Sequence, residues 1–271
     1  MSNILTRTLT GIVYVGLIIC STRFNQWIFI GLFSLFLFLG MLEFFRIIKP
    51  SGVDPQKVLS LVSGLYVFIS LALISMNIGD YKLLFAIPPL FMLIMITELY
   101  SNSVDPFRNI AFSILSVIYI ALPFALMNFM FDPKIENDFH FEFILGFFFI
   151  QWMNDIGAYL IGSKFGKHRL FERISPKKSW EGFVGGFLFA VIMALAFWHF
   201  SDTLSFIHWT VIAMIIVVSG TLGDLVESML KRSLNIKDSG KILPGHGGIL
   251  DRFDAIFISV PFVIFYLILI S

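Results

Sequence analysis

The sequence predicts an all-α integral membrane protein with about nine transmembrane helices and its chemistry gathered at one set of helix ends. Three observations predict it. Hydrophobic residues make up 58% of the 271 residues and charged residues only 14%, with a mean hydropathy of +0.89. Soluble domains carry about 25% charged residues, so this set could not cover the surface of a soluble globule of this size. The apolar residues fall in repeated runs near the ~20 residues that span the hydrocarbon core as a helix. The basic residues fall almost entirely in alternate loops. A disordered chain, a disulfide scaffold and a nucleic-acid binder with a broad basic face are thereby excluded. Cys20 is the single cysteine, so no intrachain disulfide forms, and it reads as a small apolar residue of the first run. No small-residue cleavage site follows that run, which argues against a signal peptide.

The apolar runs lie at about 5–22, 26–45, 58–76, 83–99, 110–130, 141–161, 183–200, 206–228 and 250–270. Pro88-Pro89 and Pro123 interrupt two of them, which predicts kinks rather than ends. An acidic, turn-rich loop, Asp132 to Asp138, joins the fifth and sixth runs. No internal repeat is visible.

Nine spans place the loops on alternating sides. One side receives Arg7, the Arg46–Lys57 group, Arg108, the six cations from Lys164 to Lys178, and Lys231, Arg232, Lys237, Lys241 and Arg252. Arg23, Lys82 and Lys134 are left for the other. The positive-inside rule puts the amino terminus and the two long basic loops in the cytoplasm. The expected location is the cell inner (plasma) membrane, multi-pass. The expected division is an amino-terminal scaffold of helices, 1–140, and a carboxyl-terminal catalytic region, 141–271.

Carboxylates in or beside apolar runs mark that second region: Asp155, Asp224, Glu227, Asp251 and Asp254. An ionised carboxylate in lipid costs several kcal/mol, so it needs a partner or a wet cavity. Asp224, Glu227 and Ser228 fall within about one turn at the end of a helix that Lys231 and Arg232 finish, where cations suit the dipole. A linker follows with Lys237, Asp238, Lys241, His246 and the glycines Gly240, Gly245, Gly247 and Gly248. Glycine permits close backbone approach and positive φ. A new helix is expected near Ile249, with Asp251 and Asp254 three apart on one face and Arg252 between them. Carboxylates on two helix ends, flanked by cations and glycine-exposed N–H groups, form a metal-plus-phosphate constellation. Oxygen ligands point to Mg²⁺ rather than a softer metal.

A second basic stretch precedes it. Ser175-Pro176 reads as a helix cap and first turn. Lys177 and Lys178 would then sit at a helix amino terminus, where dipole and cations both attract phosphate. Gly182 and Gly186 form a small-xxx-small pair whose expected role is close helix packing. His140, His168, His199 and His208 show no ligand spacing.

The segment Ser228 to Asp254 resembles the signature of the phosphatidate cytidylyltransferases, or CDP-diacylglycerol synthases. Its elements stand here as Ser228, Lys231-Arg232, Lys237-Asp238, His246-Gly247-Gly248 and Asp251-Arg252-Phe253-Asp254. A second stretch is similar to the same family: Asp155-Ile156-Gly157-Ala158-Tyr159, Gly162, Phe165-Gly166-Lys167 and Ser175 to Gly182, with Ser179 where the family often has Thr. The resemblance is specific over about 150–261. The amino-terminal half matches in hydropathy alone.

The resemblance implies the reaction CTP + phosphatidate → CDP-diacylglycerol + pyrophosphate, in phospholipid biosynthesis. It implies Mg²⁺ on Asp224, Asp251 and Asp254, with room for a second cation. Asp224, Asp251, Lys231, Arg232 and His246 would be catalytic. Lys177, Lys178, Ser228, Lys237, Asp238, Lys241, Gly247, Gly248 and Arg252 would bind substrate. His246 is expected to contact phosphate or order its loop, because an ionised phosphate nucleophile needs no strong base. CTP, phosphatidate and the bilayer are the expected partners, nucleic acid is not, and a homodimer is allowed. The rival readings are another lipid-directed CTP enzyme and a cation-coupled transporter. The absence of repeated halves disfavours the transporter.

Overall fold

The computed structural model describes residues 3–131, 141–201, 203–240, 245 and 247–270. Every apolar run becomes a helix or a helix series. The helices are α1 (Asn3–Phe24), α2 (Gln26–Ile48), α3 (Lys57–Ser75), α4 (Ile87–Leu99), α5 (Pro106–Ser116), α6 (Leu122–Leu126), α7 (Phe141–Phe165), α8 (Trp180–Phe200), α9 (Phe206–Ser233) and α10 (Leu250–Ile270). Among the described residues, eight segments are long and apolar enough to cross a membrane; α1 adds a shorter apolar helix, Thr8–Phe24. The chain is an all-α membrane protein. The prolines act as expected. The fourth run, Tyr81–Leu99, continues through a 3₁₀ turn into α4, with Pro88-Pro89 in its first turn. The fifth, Pro106–Phe131, changes hydrogen-bond register at a π turn, Val117–Ala121, just before Pro123.

The chain divides into two compact units. One comprises residues 1–129 and 233–253, the other 130–232 and 254–271, so the division falls inside α10. The first unit is built on aromatic packing. Phe29 stacks on Phe33 at 4.0 Å, and Phe33 meets Phe124 edge-on at 5.5 Å. Phe253, at the start of α10, lies fully buried against Tyr14, Phe36 and Phe124 at 5.8, 5.3 and 4.9 Å. Such edge and tilted arrangements suit ring quadrupoles and fix the start of α10 within this unit.

The second unit is built on glycine. A Cβ at Gly157 would meet the Gly185 carbonyl at 2.7 Å, and one at Gly162 would meet Gly182 Cα at 3.2 Å. Gly186 packs on Asn154 in the same way. Small residues let α7 and α8 approach backbone to backbone, which van der Waals packing rewards where lipid supplies no hydrophobic drive. The expected packing role of Gly182 and Gly186 is thus met. A Cβ at Gly223 would lie 2.6 Å from the Asp254 carbonyl, so α9 and α10 also cross closely.

The basic stretch after α7 departs from expectation. Ser175–Ser179 is a strand, β2, paired antiparallel with β1 (Arg169–Phe171), and the helix begins at Trp180. Ser179, not Ser175, is the cap: its Oγ accepts from Gly182 N at 3.1 Å. Lys177 and Lys178 therefore lie on an extended ribbon rather than in a first helical turn. The reason is competition between two cap-forming serines. Glu181 holds the ribbon closed, accepting from the backbone N–H of Lys167 at 3.1 Å and of His168 at 3.2 Å. A carboxylate in a first helical turn also suits the dipole. Pro176 is tolerated because a two-stranded ribbon leaves an edge unpaired.

Candidate active site

In the second unit, the carboxyl-terminal end of α9 carries Asp224, Glu227 and Lys231 along one face. Glu227 is 1% exposed and accepts from Lys231 Nζ at 2.8 Å, an i,i+4 pair. Asp224 is ion-paired with Lys178 of β2, whose Nζ also donates to the Thr221 carbonyl at 3.5 Å. Asp254 lies within hydrogen-bonding reach of Glu227, and Asp224 is close enough to act on it electrostatically. Gly223 makes this approach of α9 and α10 possible. Three carboxylates and two lysines from three elements are thus brought together. Ser228 is half-buried, while Lys177 and Arg232 are exposed.

Another part of the signature belongs to the first unit. Asp251 opens α10, and its Oδ2 accepts from Ser239 N at 3.1 Å and Gly248 N at 2.9 Å. Gly247 has φ +89°, and a Cβ there would lie 2.6 Å from Asp251 Oδ2. Gly245 also has positive φ, +79°. Both positions are glycine because an L side chain is strained in that region. Lys237, Asp238 and Arg252 are exposed. Lys241 and His246 lie outside the described residues.

The sequence reading missed two carboxylates of the amino-terminal half. Glu43 of α2 is fully buried. It accepts from Ser239 Oγ, from Ile249 N at 2.9 Å and from Leu250 N at 3.3 Å. Glu98 of α4 is 2% exposed and accepts from Asn109 Nδ2 and Ser101 Oγ at 2.8 and 2.9 Å, with Gln56 Nε2 at 2.5 Å. The usable signal was present: each is a carboxylate inside an apolar run, which requires a partner.

The fit to a divalent cation is one of donor chemistry. Among the described residues no three Asp, Glu, His or Cys side chains converge as a metal would require. The Asp224, Glu227 and Asp254 group nevertheless supplies only hard oxygen ligands, as Mg²⁺ prefers. Its mutual repulsion is answered here by Lys178 and Lys231. Carboxylates so crowded favour any added positive charge.

The chain matches the model of the Cytidylyltransferase family over residues 5–270, nearly its whole length. It belongs to the Cytidylyltransferase family. Relatives in this family carry a more specific name. The chain is 42% identical over 173 residues to the phosphatidate cytidylyltransferase of Staphylococcus aureus strain COL, a match covering 63% of this chain and 64% of that protein. It is 35% identical over 263 residues to the protein of that name from Staphylococcus haemolyticus strain JCSC1435, covering 94% of this chain and 95% of that one. The corresponding protein of Bacillus subtilis strain 168 is 38% identical over 194 residues, 71% of each chain. A cytidylyltransferase must bring a nucleoside triphosphate to an acceptor, and clustered lysines beside carboxylates suit that task.

Proposed function

We propose that this cytidylyltransferase acts on phosphatidate, converting CTP and phosphatidate to CDP-diacylglycerol and pyrophosphate at the cytoplasmic face of a bacterial inner membrane. One observation carries the reading. Lys178, from the second family-like stretch, is seated on Asp224 of the signature, so two separate motifs build one charged cluster. One substrate is a soluble polyanion and the other a lipid with an anionic headgroup. Lysines on a ribbon and a helix end beside apolar spans can meet both.

A phosphatidate oxygen attacks the α-phosphorus of CTP. The new P–O bond forms as the bond from the α-phosphorus to the α,β-bridging oxygen breaks, and pyrophosphate leaves with the electron pair. The nucleophile is already ionised near neutral pH, so no residue need remove a proton. Such a transfer depends on positioning and charge neutralisation. Lys178 and Lys231 offset triphosphate charge, and Arg232, exposed beside Lys231, is suited to meet the headgroup. Mg²⁺, held through Asp224 and Asp254, would neutralise charge on the phosphate oxygens. Asp251 and the glycines shape the linker between α9 and α10.

The test is turnover of labelled CTP by purified protein in vesicles containing phosphatidate, a polyprenol or an archaeal-type ether lipid. CDP-diacylglycerol and pyrophosphate should form with phosphatidate alone. Preferential labelling of another lipid would overturn the assignment.

A further inference from the structure

We propose that Glu43 is a positioning residue: its carboxylate fixes Ser239 and the start of α10, the two flanks of the glycine-rich signature linker. The inference rests on the reading of the chain as a phosphatidate cytidylyltransferase, and it extends that reading to a residue outside the signature. Burying a carboxylate in an apolar span is costly, and an aliphatic side chain would fill a scaffold position at lower cost. Glu43 does what an aliphatic residue cannot. It accepts from Ile249 N and Leu250 N, which open α10 and have no partner within the helix. It accepts as well from Ser239 Oγ, on the other flank of the linker.

The signature is cut to admit this carboxylate. A Cβ at Gly248 would lie 1.7 Å from Glu43 Oε1, and one at Gly240 would lie 2.9 Å from its Cδ. Both glycines are empty space that Glu43 fills. Asp251 grips the same two flanks through the backbone N–H groups of Ser239 and Gly248. Glu43 and Asp251 therefore both hold Ser239, and Gly248, held by Asp251, packs against Glu43, so loosening Glu43 loosens Asp251. A displacement of about 1 Å at such a site can cost on the order of a hundredfold in rate.

The experiment uses the full chain in lipid vesicles, comparing wild type with Glu43→Gln and with Glu98→Gln, a buried carboxylate of the same unit whose partners Gln56, Ser101 and Asn109 lie outside the signature. Glu43→Gln puts an amide donor against N–H donors. Its kcat should fall on the order of a hundredfold, with KM for CTP held within about threefold. Glu98→Gln should keep kcat within about threefold at an equal or larger loss of thermal stability. Equal kcat in the two variants, or near wild-type kcat in Glu43→Gln, overturns the proposal. If the wild type itself makes no CDP-diacylglycerol, the proposed function fails separately; amide exchange at Ile249 and Leu250 then decides the role of Glu43. Those amides should exchange faster in Glu43→Gln than in Glu98→Gln, and equal rates overturn it. Should Glu43→Gln fail to fold, Gly248→Ala and its combination with Glu43→Asp carry the test. The shorter Asp should recover at least about tenfold of the activity lost in Gly248→Ala, and a merely additive loss overturns the proposal.

Discussion

Two groups of carboxylates, one in each unit, are answered in different ways. In the second unit, Asp224 and Glu227 are paired with the side chains of Lys178 and Lys231. In the first unit, Glu43 and Asp251 are met by backbone N–H groups of Ser239, Gly248, Ile249 and Leu250. A lysine is a flexible point charge that can change partner. A backbone amide in a turn or helix start cannot move without moving the chain. On the proposed function, the difference separates a group that exchanges charge with a substrate from a group that holds shape.

The largest expected effect is on the exchangeable group. Asp224→Asn keeps the shape and removes the charge. Losing the site for an Mg²⁺ that neutralises phosphate charge should lower kcat on the order of a thousandfold, about 4 kcal/mol. Folding should survive, because the lost pair with Lys178 is partly exposed and such pairs contribute little. Asp254→Asn should behave alike, and the double variant should be little worse than either, as groups serving one metal are non-additive. CDP-diacylglycerol formation across a Mg²⁺ titration measures this, with partial recovery of the Asp224→Asn variant at high Mg²⁺. Near wild-type turnover of Asp224→Asn at low Mg²⁺ would falsify the metal assignment. Asp251→Asn sharpens the contrast: it retains an acceptor for Ser239 N and Gly248 N, so a comparable loss there would assign Asp251 to the metal as well.

Next in size is the cation that answers Asp224. Lys178→Gln should raise KM for CTP or phosphatidate roughly tenfold, because a charge is lost from the substrate cluster. Lys177→Gln, exposed on the same strand, should change KM less than about threefold. If both variants keep wild-type kinetics while inserting normally, the basic ribbon serves only to orient the protein in the bilayer.

A smaller effect, on stability first, should follow at the α9–α10 crossing. Gly223→Ala places a Cβ 2.6 Å from the Asp254 carbonyl, against backbone that cannot yield cheaply. A cost of roughly 1–3 kcal/mol is expected from such overpacking. Gly31→Ala is the control, since nothing lies within 4 Å of its added Cβ. Thermal unfolding in one lipid composition should separate the two, and equal midpoints would mean that α9 and α10 can part without strain.

These contrasts bear on how far the sequence alone could be read. The spans were legible because hydrocarbon thickness imposes a length and leaves backbone polar groups no partner outside a helix. The signature was legible because Asp224, Asp251, Gly245 and Gly247 are tied to a short stretch of chain. Glu43 was not, although its isolation among Phe and Leu demanded a partner. Its hydroxyl partner, Ser239, is 196 residues away, and no local pattern names it. The helix cap at Ser179 was misplaced to Ser175 for a related reason. Both serines can cap, and the choice was made by Glu181 reaching back to Lys167 and His168. Local rules supplied the candidates, and tertiary contacts chose among them.

The last prediction carries no expected change in turnover and tests where both groups of carboxylates face. If exchangeable lysine pairs are to meet CTP, the end of α9 and the start of α10 must face the cytosol. On the nine-span expectation the basic residues divide between the loops in that sense, with Arg23, Lys82 and Lys134 alone falling to the opposite side. Ser163, near the end of α7, is exposed and should lie on the cytosolic side. Asn137, in the acidic loop before α7 and outside the described residues, should lie on the other. In a chain with Cys20 replaced, Ser163→Cys should react with an impermeant thiol reagent only in inverted vesicles, and Asn137→Cys only in intact cells. Labelling of both from one side would mean that α7 does not cross the bilayer. Reversed labelling would place the lysine-paired cluster away from cytosolic CTP. The backbone-held group would keep its structural role in that case, but the exchangeable group would have no nucleotide to receive.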